Sequence, residues 1–557
     1  MKLQEVYINK YRLSLALILS AVFLFHLPGL FYGFPFKDLV GDEVTTMSAI
    51  FKMFNDFSLR PDYASFYHLP FAAYAQLPFY ALLLLFLRLS GLFASLADLK
   101  DFVILNYGHF LPFARFLTSV FAVGAVYLIY LTAEKIFKRK IVAIWSSLLL
   151  GFNFMFFQVT HFARVWALQI FILLAALYAY LSFFEKKSPG WKDYFFISLV
   201  TALSFGVHLI GAFVYIIFLI LVFIYRKDYI FDRSSPQFKS FWLLQLSFLG
   251  WAGLFYYLNP GGFLIYFQQS GIEKAGLLRD WGFLSNLAYY AKVFFNYDLL
   301  LAILIIPAGV IFWRDFRALF WSFAALIVLW ISSISYLVHP EPRFIVALMP
   351  FLILPSSYFM VKIFGFVKSF YFKGLIAIMA AAILFYLPFL WTIKIIQPNT
   401  LVSAGLWING SVKPDGKILN NNPYLALPEN KAAAEIMSAA GAINNNLTRQ
   451  FIINALPGEL PQPRYFAITA SSLGDLAAYQ FDEPVKFEYL ILSFWNNKQQ
   501  QEAYLNFPVG KQLLARYYPT ETVIDLTDMA NNLLRPYQTL WKVKFSGPYL
   551  EIYKLND

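Results

Sequence analysis

Residues 13–31, LSLALILSAVFLFHLPGLF, form a predominantly apolar run long enough to cross a bilayer as a helix. Lys2, Lys10 and Arg12 precede it as they would in a signal peptide, but no small-residue cleavage site follows and further apolar runs do. The run therefore reads as a retained first transmembrane helix. The remainder agrees with it: of 557 residues, 60% are hydrophobic, 20% aromatic and only 14% charged, far from a soluble globular average. The composition predicts a polytopic α-helical membrane protein.

What is missing narrows the chemistry. With no cysteine there is no disulfide framework, thiolate metal site or thiol nucleophile. No Walker loop, G-x-G-x-x-G, heptad or solenoid period occurs. The net charge of +12 points to anionic membrane lipids as partners and not to nucleic acid, because lysine and arginine gather in short cytoplasmic loops.

Those loops set the topology. Basic clusters lie at the N-terminus, 134–140, 185–187, 226–233, 314–317 and at Lys362, Lys368 and Lys373. If all are cytoplasmic, an even number of crossings must separate neighbours. Three apolar stretches, 13–31, 69–91 and 110–132, precede Lys138, so one does not cross. The weakest, 69–91, carries Pro70, Gln76 and Pro78 and is read as a juxtamembrane helix on the outer surface. Further crossings near 139–157, 165–184, 194–206, 209–225, 240–258, 299–313, 318–337, 344–362 and 373–395 bring the total to about eleven.

The reading divides the chain into a transmembrane domain, 1–395, and an extracytoplasmic domain, 396–557. The latter is expected to be α/β, with strands at 416–421, 464–470 and 487–495 and a closing hairpin over 541–555 that turns at Ser546–Pro548. The protein is expected in the plasma (inner) membrane, N-terminus inside and C-terminal domain outside. Between two crossings, 259–298 reads either as a mobile lid or as a static pair of interfacial helices.

Four outer-face segments carry polar residues where the membrane makes isolated charges expensive. GDEVTTMSAIFKMF (41–54) spaces Val44, Met47, Phe51 and Phe54 as an amphipathic helix begun by Asp42 and Glu43. Tyr67 and His68 lie in FYHLPF (66–71), and His161 and Arg164 in QVTHFARVW (158–166). VHPEPRFIVALMP (338–350) contributes His339, Glu341 and Arg343. Each has a plain alternative: an acidic helix cap, belt residues, a snorkelling arginine, an exposed Glu341–Arg343 pair. Their coincidence at one membrane face predicts one polar pocket.

RFIVALMP (343–350) resembles the R-[FY]-x-x-x-x-x-P element in late spans of C-type, membrane-embedded glycosyltransferases. Asp42-Glu43 after the first helix is similar to that superfamily's first-loop motif, and His68-Leu69-Pro70 resembles the His-Pro-Pro segment of its protein O-mannosyltransferase branch. QPNTLVSAGLWINGSVKPDGKIL (397–419) and SGPYLEIYKL (546–555) resemble the periplasmic region of bacterial and archaeal members near the mannosyltransferase and aminoarabinose transferase families. Where several relatives carry a second aspartate in the loop equivalent to 158–164, this chain has His161 and Arg164 and no acid. That departure speaks against a two-carboxylate mechanism.

The resemblance implies an inverting transferase with a polyprenyl-phosphate sugar as donor and a hydroxyl of a protein, lipid or glycan as acceptor. A phosphate leaving group is already anionic, so it needs cationic stabilisation more than protonation, and the demand reduces to one base. Asp42 is assigned that role, with Glu43 orienting the acceptor or positioning the loop. Arg343 and Arg164 suit the lipid phosphate, since a guanidinium grips phosphate oxygens as a fork. His68, His161, His339, Tyr67 and Glu341 are further substrate-binding candidates; a divalent metal on the histidines is the one cofactor left open. The competing class is a polytopic transporter or flippase of a lipid-linked saccharide, which would need charges deeper in the bundle. Apart from His208, the ionisable residues are read as avoiding mid-membrane positions.

Overall fold

The structure, a computed structural model, describes residues 2–36, 42–61, 69–260, 282–337, 340–425, 427–439, 447–456, 458–470, 486–494, 511–517, 536–542 and 545–555. The transmembrane half begins with α1 (Lys2–His26), which runs into a 3-10 turn (Leu27–Phe31), and then α2 (Glu43–Asn55). Next come α3 (Phe71–Leu89), α4 (Leu96–Leu105), α5 (Leu111–Phe137), α6 (Lys140–Gly151), α7 (Phe154–Thr160), α8 (Trp166–Phe184) and α9 (Trp191–Val207). The bundle closes with α10 (Tyr215–Tyr225), α11 (Asp228–Phe231), α12 (Pro236–Leu258), α13 (Phe283–Tyr297), α14 (Leu299–Asp315), α15 (Arg317–Ser335), α16 (Met349–Phe366) and α17 (Phe370–Ile395).

Among the described residues, eight helical segments are long and apolar enough to cross a membrane. The number is ten when α6 with α7, bent by 57°, and α13 with α14, bent by 111°, each count as one span; Leu209–Tyr225 is a shorter apolar helix beside them. This is a polytopic helical membrane protein. Phe71–Leu89 is one of the eight, so length and apolarity do not distinguish it from a crossing. It packs with α2, α4 and the start of α5 into a core of its own, around Phe51, Tyr80, Tyr107 and Phe110. Of the 259–298 loop, α13 and its flanks are described, while 261–281 lie outside the described residues.

The main core threads α1, α5, α6, α8, α14, α15, α16 and α17, with Trp330 and Trp391 fully buried at its centre. One end of the bundle is basic. There Lys135 and Lys138 pair with Glu185, Arg314 and Lys362 pair with Asp315, and Phe137, Phe316 and Tyr358 pack ring to ring. The candidate site residues lie at the opposite end, as a charge-biased topology requires.

In the C-terminal half, α18 (Thr400–Ser411) precedes a five-stranded sheet of order β2-β1-β3-β5-β4. Its strands are β1 (Lys417–Asn420), β2 (Phe466–Thr469), β3 (Tyr489–Phe494), β4 (Lys511–Tyr517) and β5 (Tyr549–Leu555). Helices α19 (Lys431–Ala439) and α20 (Leu447–Asn454) lie between β1 and β2. β1 pairs in parallel with β2 and β3, whereas β5 lies antiparallel between β3 and β4. The expected closing hairpin is thus corrected: Leu540–Lys542 form a 3-10 turn, and β5 finds its partners in distant strands. The main core also runs through the expected boundary at 395/396, taking in Leu401, Ile408, Ile418 and Tyr465 with the helical bundle.

Candidate active site

The first loop enters the site through α2. The helix starts at Glu43, and Asp42 at its N-cap adopts φ +70°, the left-handed region that aspartate tolerates better than most residues. Its carboxylate makes no capping hydrogen bond. The acidic-cap reading is therefore corrected, since a left-handed N-cap residue aims its side chain away from the first-turn N–H groups. It lies instead 3.5 Å from Arg343 Nη2, a charge pair longer than a good hydrogen bond, and its side chain is 37% exposed.

Arg343 owes its place to Pro342 and the turn that it begins. Glu341 precedes Pro342 and is held extended at φ −125°, ψ 136°, after which Pro342–Leu348 wind into a 3-10 turn leading into α16. Trp330 on α15 donates its indole N–H to Phe344 O at 2.8 Å, and the Phe344 ring meets Trp166 at the start of α8. Arg343 is thereby held half-buried between two acids, with Nε on Glu341 and Nη2 facing Asp42.

Below Asp42 lies a second, fully buried charge pair. Glu43 accepts from Arg115 Nε at 2.8 Å and Nη2 at 2.6 Å, and from the Ala163 N–H at 2.8 Å. Arg115 Nη1 donates to the carbonyls of Tyr32 (2.5 Å), Leu30 (3.1 Å) and Gly29 (3.4 Å). Both side chains are at most 1% exposed, so the pair persists only because nearly every donor and acceptor is used. Arg115 stands near the start of the apolar segment Tyr107–Phe137, toward one end of the span.

The 161–165 turn joins the same site from another side. Asn153 caps α7 by accepting from the Phe156 N–H, and the turn after α7 aims the Ala163 N–H, next to Arg164 in sequence, at Glu43. His161 points the other way. It is buried, stacked on His26 with ring centroids 4.0 Å apart, and its Nδ1 and Nε2 lie 2.6 Å and 3.0 Å from the carbonyls of Phe157 and Phe25. It ties the end of α1 to α7 rather than facing the pocket.

Three of the four polar segments thus meet: Asp42 faces Arg343, Arg343 holds Glu341, and Glu43 accepts from the Ala163 N–H of the 161–165 turn. Tyr67, His68 and His339 lie outside the described residues, although Leu69, next to His68, is buried against Ala202, Phe205 and Phe255. Among the described residues, no group of three or more His, Asp or Glu is placed to hold a metal ion. Arg115 was missed in the sequence; its signal was one arginine four residues into an apolar helix of 27 residues.

No family model matches the chain, and no curated protein matches it in sequence. In fold it is similar to ArnT from Cupriavidus metallidurans bound to undecaprenyl phosphate (11% identity, 96% of this chain and 97% of that one, TM-score 0.47). It is similar also to the Archaeoglobus fulgidus oligosaccharyltransferase (12% identity, 91% and 74%, TM-score 0.46). A third likeness is to the arabinofuranosyltransferase AftD from Mycobacteria (12% identity, 98% and 40%, TM-score 0.39).

Proposed function

We propose that the chain is an inverting glycosyltransferase that moves a sugar from a polyprenyl-phosphate donor to a hydroxyl acceptor at the outer face of the membrane. The observation that carries this reading is the approach of Asp42 and Arg343, a base and a phosphate-binding cation on one accessible wall at the non-basic end of the bundle. Asp42 Oδ2 accepts the proton of the acceptor hydroxyl as its oxygen bonds to the anomeric carbon. The bond from that carbon to the phosphate oxygen breaks on the opposite face, its electron pair leaves with the phosphate, and the configuration inverts.

Arg343 gives the departing phosphate a charge-assisted partner, and Arg164 adds a second cation. Glu341 keeps the Arg343 fork pre-aimed before the donor arrives. Glu43, buried and accepting from Arg115 twice and from the Ala163 N–H, serves to position the loop. The test is release of polyprenyl phosphate from a polyprenyl-phosphate sugar by purified protein. The reading predicts turnover that Asp42→Asn lowers about 100-fold or more; donor that is moved across a vesicle membrane without cleavage would make the protein a transporter.

A further inference from the structure

The loop bearing Asp42 is held from one side by Arg115 and Glu43 and from the other by the C-terminal domain. Asn399, the N-cap of α18, accepts from the Leu401 N–H at 2.8 Å and donates Nδ2 to the Tyr32 hydroxyl at 2.7 Å. Ser546 Oγ lies 3.1 Å from the same hydroxyl and 3.3 Å from Asn399 Nδ2. The turn carrying Ser546 is locked onto α18, since the Thr400 N–H donates to Ser546 O at 2.9 Å and Thr400 Oγ1 to Pro548 O at 2.7 Å. Gly547 makes this possible: at φ +104° a side chain is strained, and a Cβ there would stand 2.3 Å from Thr400 Oγ1.

Tyr32 passes the restraint inward. It is 5% exposed, and while its hydroxyl binds the C-terminal domain its carbonyl accepts from Arg115 Nη1 at 2.5 Å. Four residues on, the tip of the Phe36 ring abuts α18, so close that a Cβ on Gly405 would fall 2.4 Å from its Cζ. Both residues are buried and both precede Asp42 in the same loop. A continuous path therefore runs from Asn399 and Ser546 through Tyr32 and Arg115 to Glu43, the residue after Asp42, with a second anchor at Phe36.

We infer that the C-terminal domain is a positioning element of the active site, and that Asn399, Gly405 and Ser546 fix the loop from which Asp42 acts. The inference rests on the reading of Asp42 as the base, but its physical part does not. A base must be held within hydrogen-bond reach of the proton it takes, and a strained left-handed residue keeps its conformation only where its surroundings over-determine it. The domain supplies that determination from outside the membrane half.

Hydrogen exchange on the full chain in detergent tests it. Tyr32→Phe keeps the ring and the backbone carbonyl and removes only the hydroxyl; Asn399→Ala removes its partner; Gly405→Ala pushes Phe36 off α18. Each should raise exchange of the α2 amides about tenfold or more while those of α8 stay protected, and in a polyprenyl-phosphate sugar assay each should lower kcat with little change in KM. Ser546→Ala, the mildest cut, serves if Asn399→Ala fails to fold. Unchanged α2 protection in folded variants, with loosening confined to 546–555, would overturn the inference. Asp42→Asn separates the two claims: full activity there sinks the base and leaves the coupling measurable.

Discussion

Asp42 and Arg343 stand 3.5 Å apart in a half-exposed site, joined by residues that belong to the first loop and to the entrance of α16. Neither acts as a buried structural ion: the side chains are 37% and 18% exposed, and an exposed pair at that distance contributes ~1 kcal/mol or less to folding. Arg343 also holds Glu341 through Nε, so the three side chains form one partly exposed charged cluster.

Asp42→Asn isolates the charge. Asparagine tolerates the left-handed conformation as aspartate does, so the loop should keep its shape and the variant its melting temperature. Transfer should fall about 100-fold or more, the range of a lost general base. Initial rates of the purified variant decide this, and near-normal turnover removes Asp42 from the mechanism.

Glu43 should behave in the opposite way to its neighbour. Glu43→Gln leaves the Arg115 guanidinium buried without its counter-charge, a loss of about 3–5 kcal/mol. Arg115→Met should be similarly costly alone, and the double variant less so than the two single losses added together. Thermal melting in detergent reads the cycle; additive losses would show that the two side chains are not energetically coupled.

Much of this was legible in the sequence. Apolar runs located most of the long apolar helices because bilayer thickness sets their length, although eight to ten, not eleven, are long and apolar enough to cross among the described residues and Trp191–Val207 is not one of them; the 3.6-residue spacing of Val44, Met47, Phe51 and Phe54 located α2, found at Glu43–Asn55. That Glu43 turns inward to Arg115 while Asp42 faces Arg343 was not legible. It depends on which residue is the first with helical backbone angles and on a partner 72 positions away, Arg115. Local reading also erred at 541–555: Gly547 and Pro548 do mark a turn, but that turn packs on Thr400, and β5 is claimed by β3 and β4 through long-range pairing.

The placement of α3 can be tested without any substrate. The chain has no cysteine, so a single replacement gives a clean label. Ala94 is exposed in the turn between α3 and α4 and makes no capping contact, unlike Ser95, which caps α4. If α3 lies along the outer surface, Ala94→Cys in intact cells should react with a membrane-impermeant maleimide. Reaction only after permeabilisation would make α3 a crossing and require the orientation of the later helices to be redrawn.

Arg343 offers the sharpest separation of a phosphate ligand from a structural residue. Its Nε holds Glu341 and its Nη2 faces Asp42, so the fork is already oriented without a substrate. If it holds the departing phosphate, its contact strengthens as charge develops, and its loss should cost about 2–4 kcal/mol of transition-state stabilisation. Lysine keeps the charge and loses the fork, so Arg343→Lys should retain part of the activity and Arg343→Ala very little. Glu341→Gln should then be milder than Arg343→Ala, because the guanidinium remains and only its aim is relaxed. Were Arg343 no more than a partner for Glu341, the two losses would match and both would lower the melting temperature. Initial rates and melting curves of the three variants, with affinity for a polyprenyl-phosphate sugar, distinguish these patterns; undiminished donor affinity in Arg343→Ala would leave the site without its phosphate ligand.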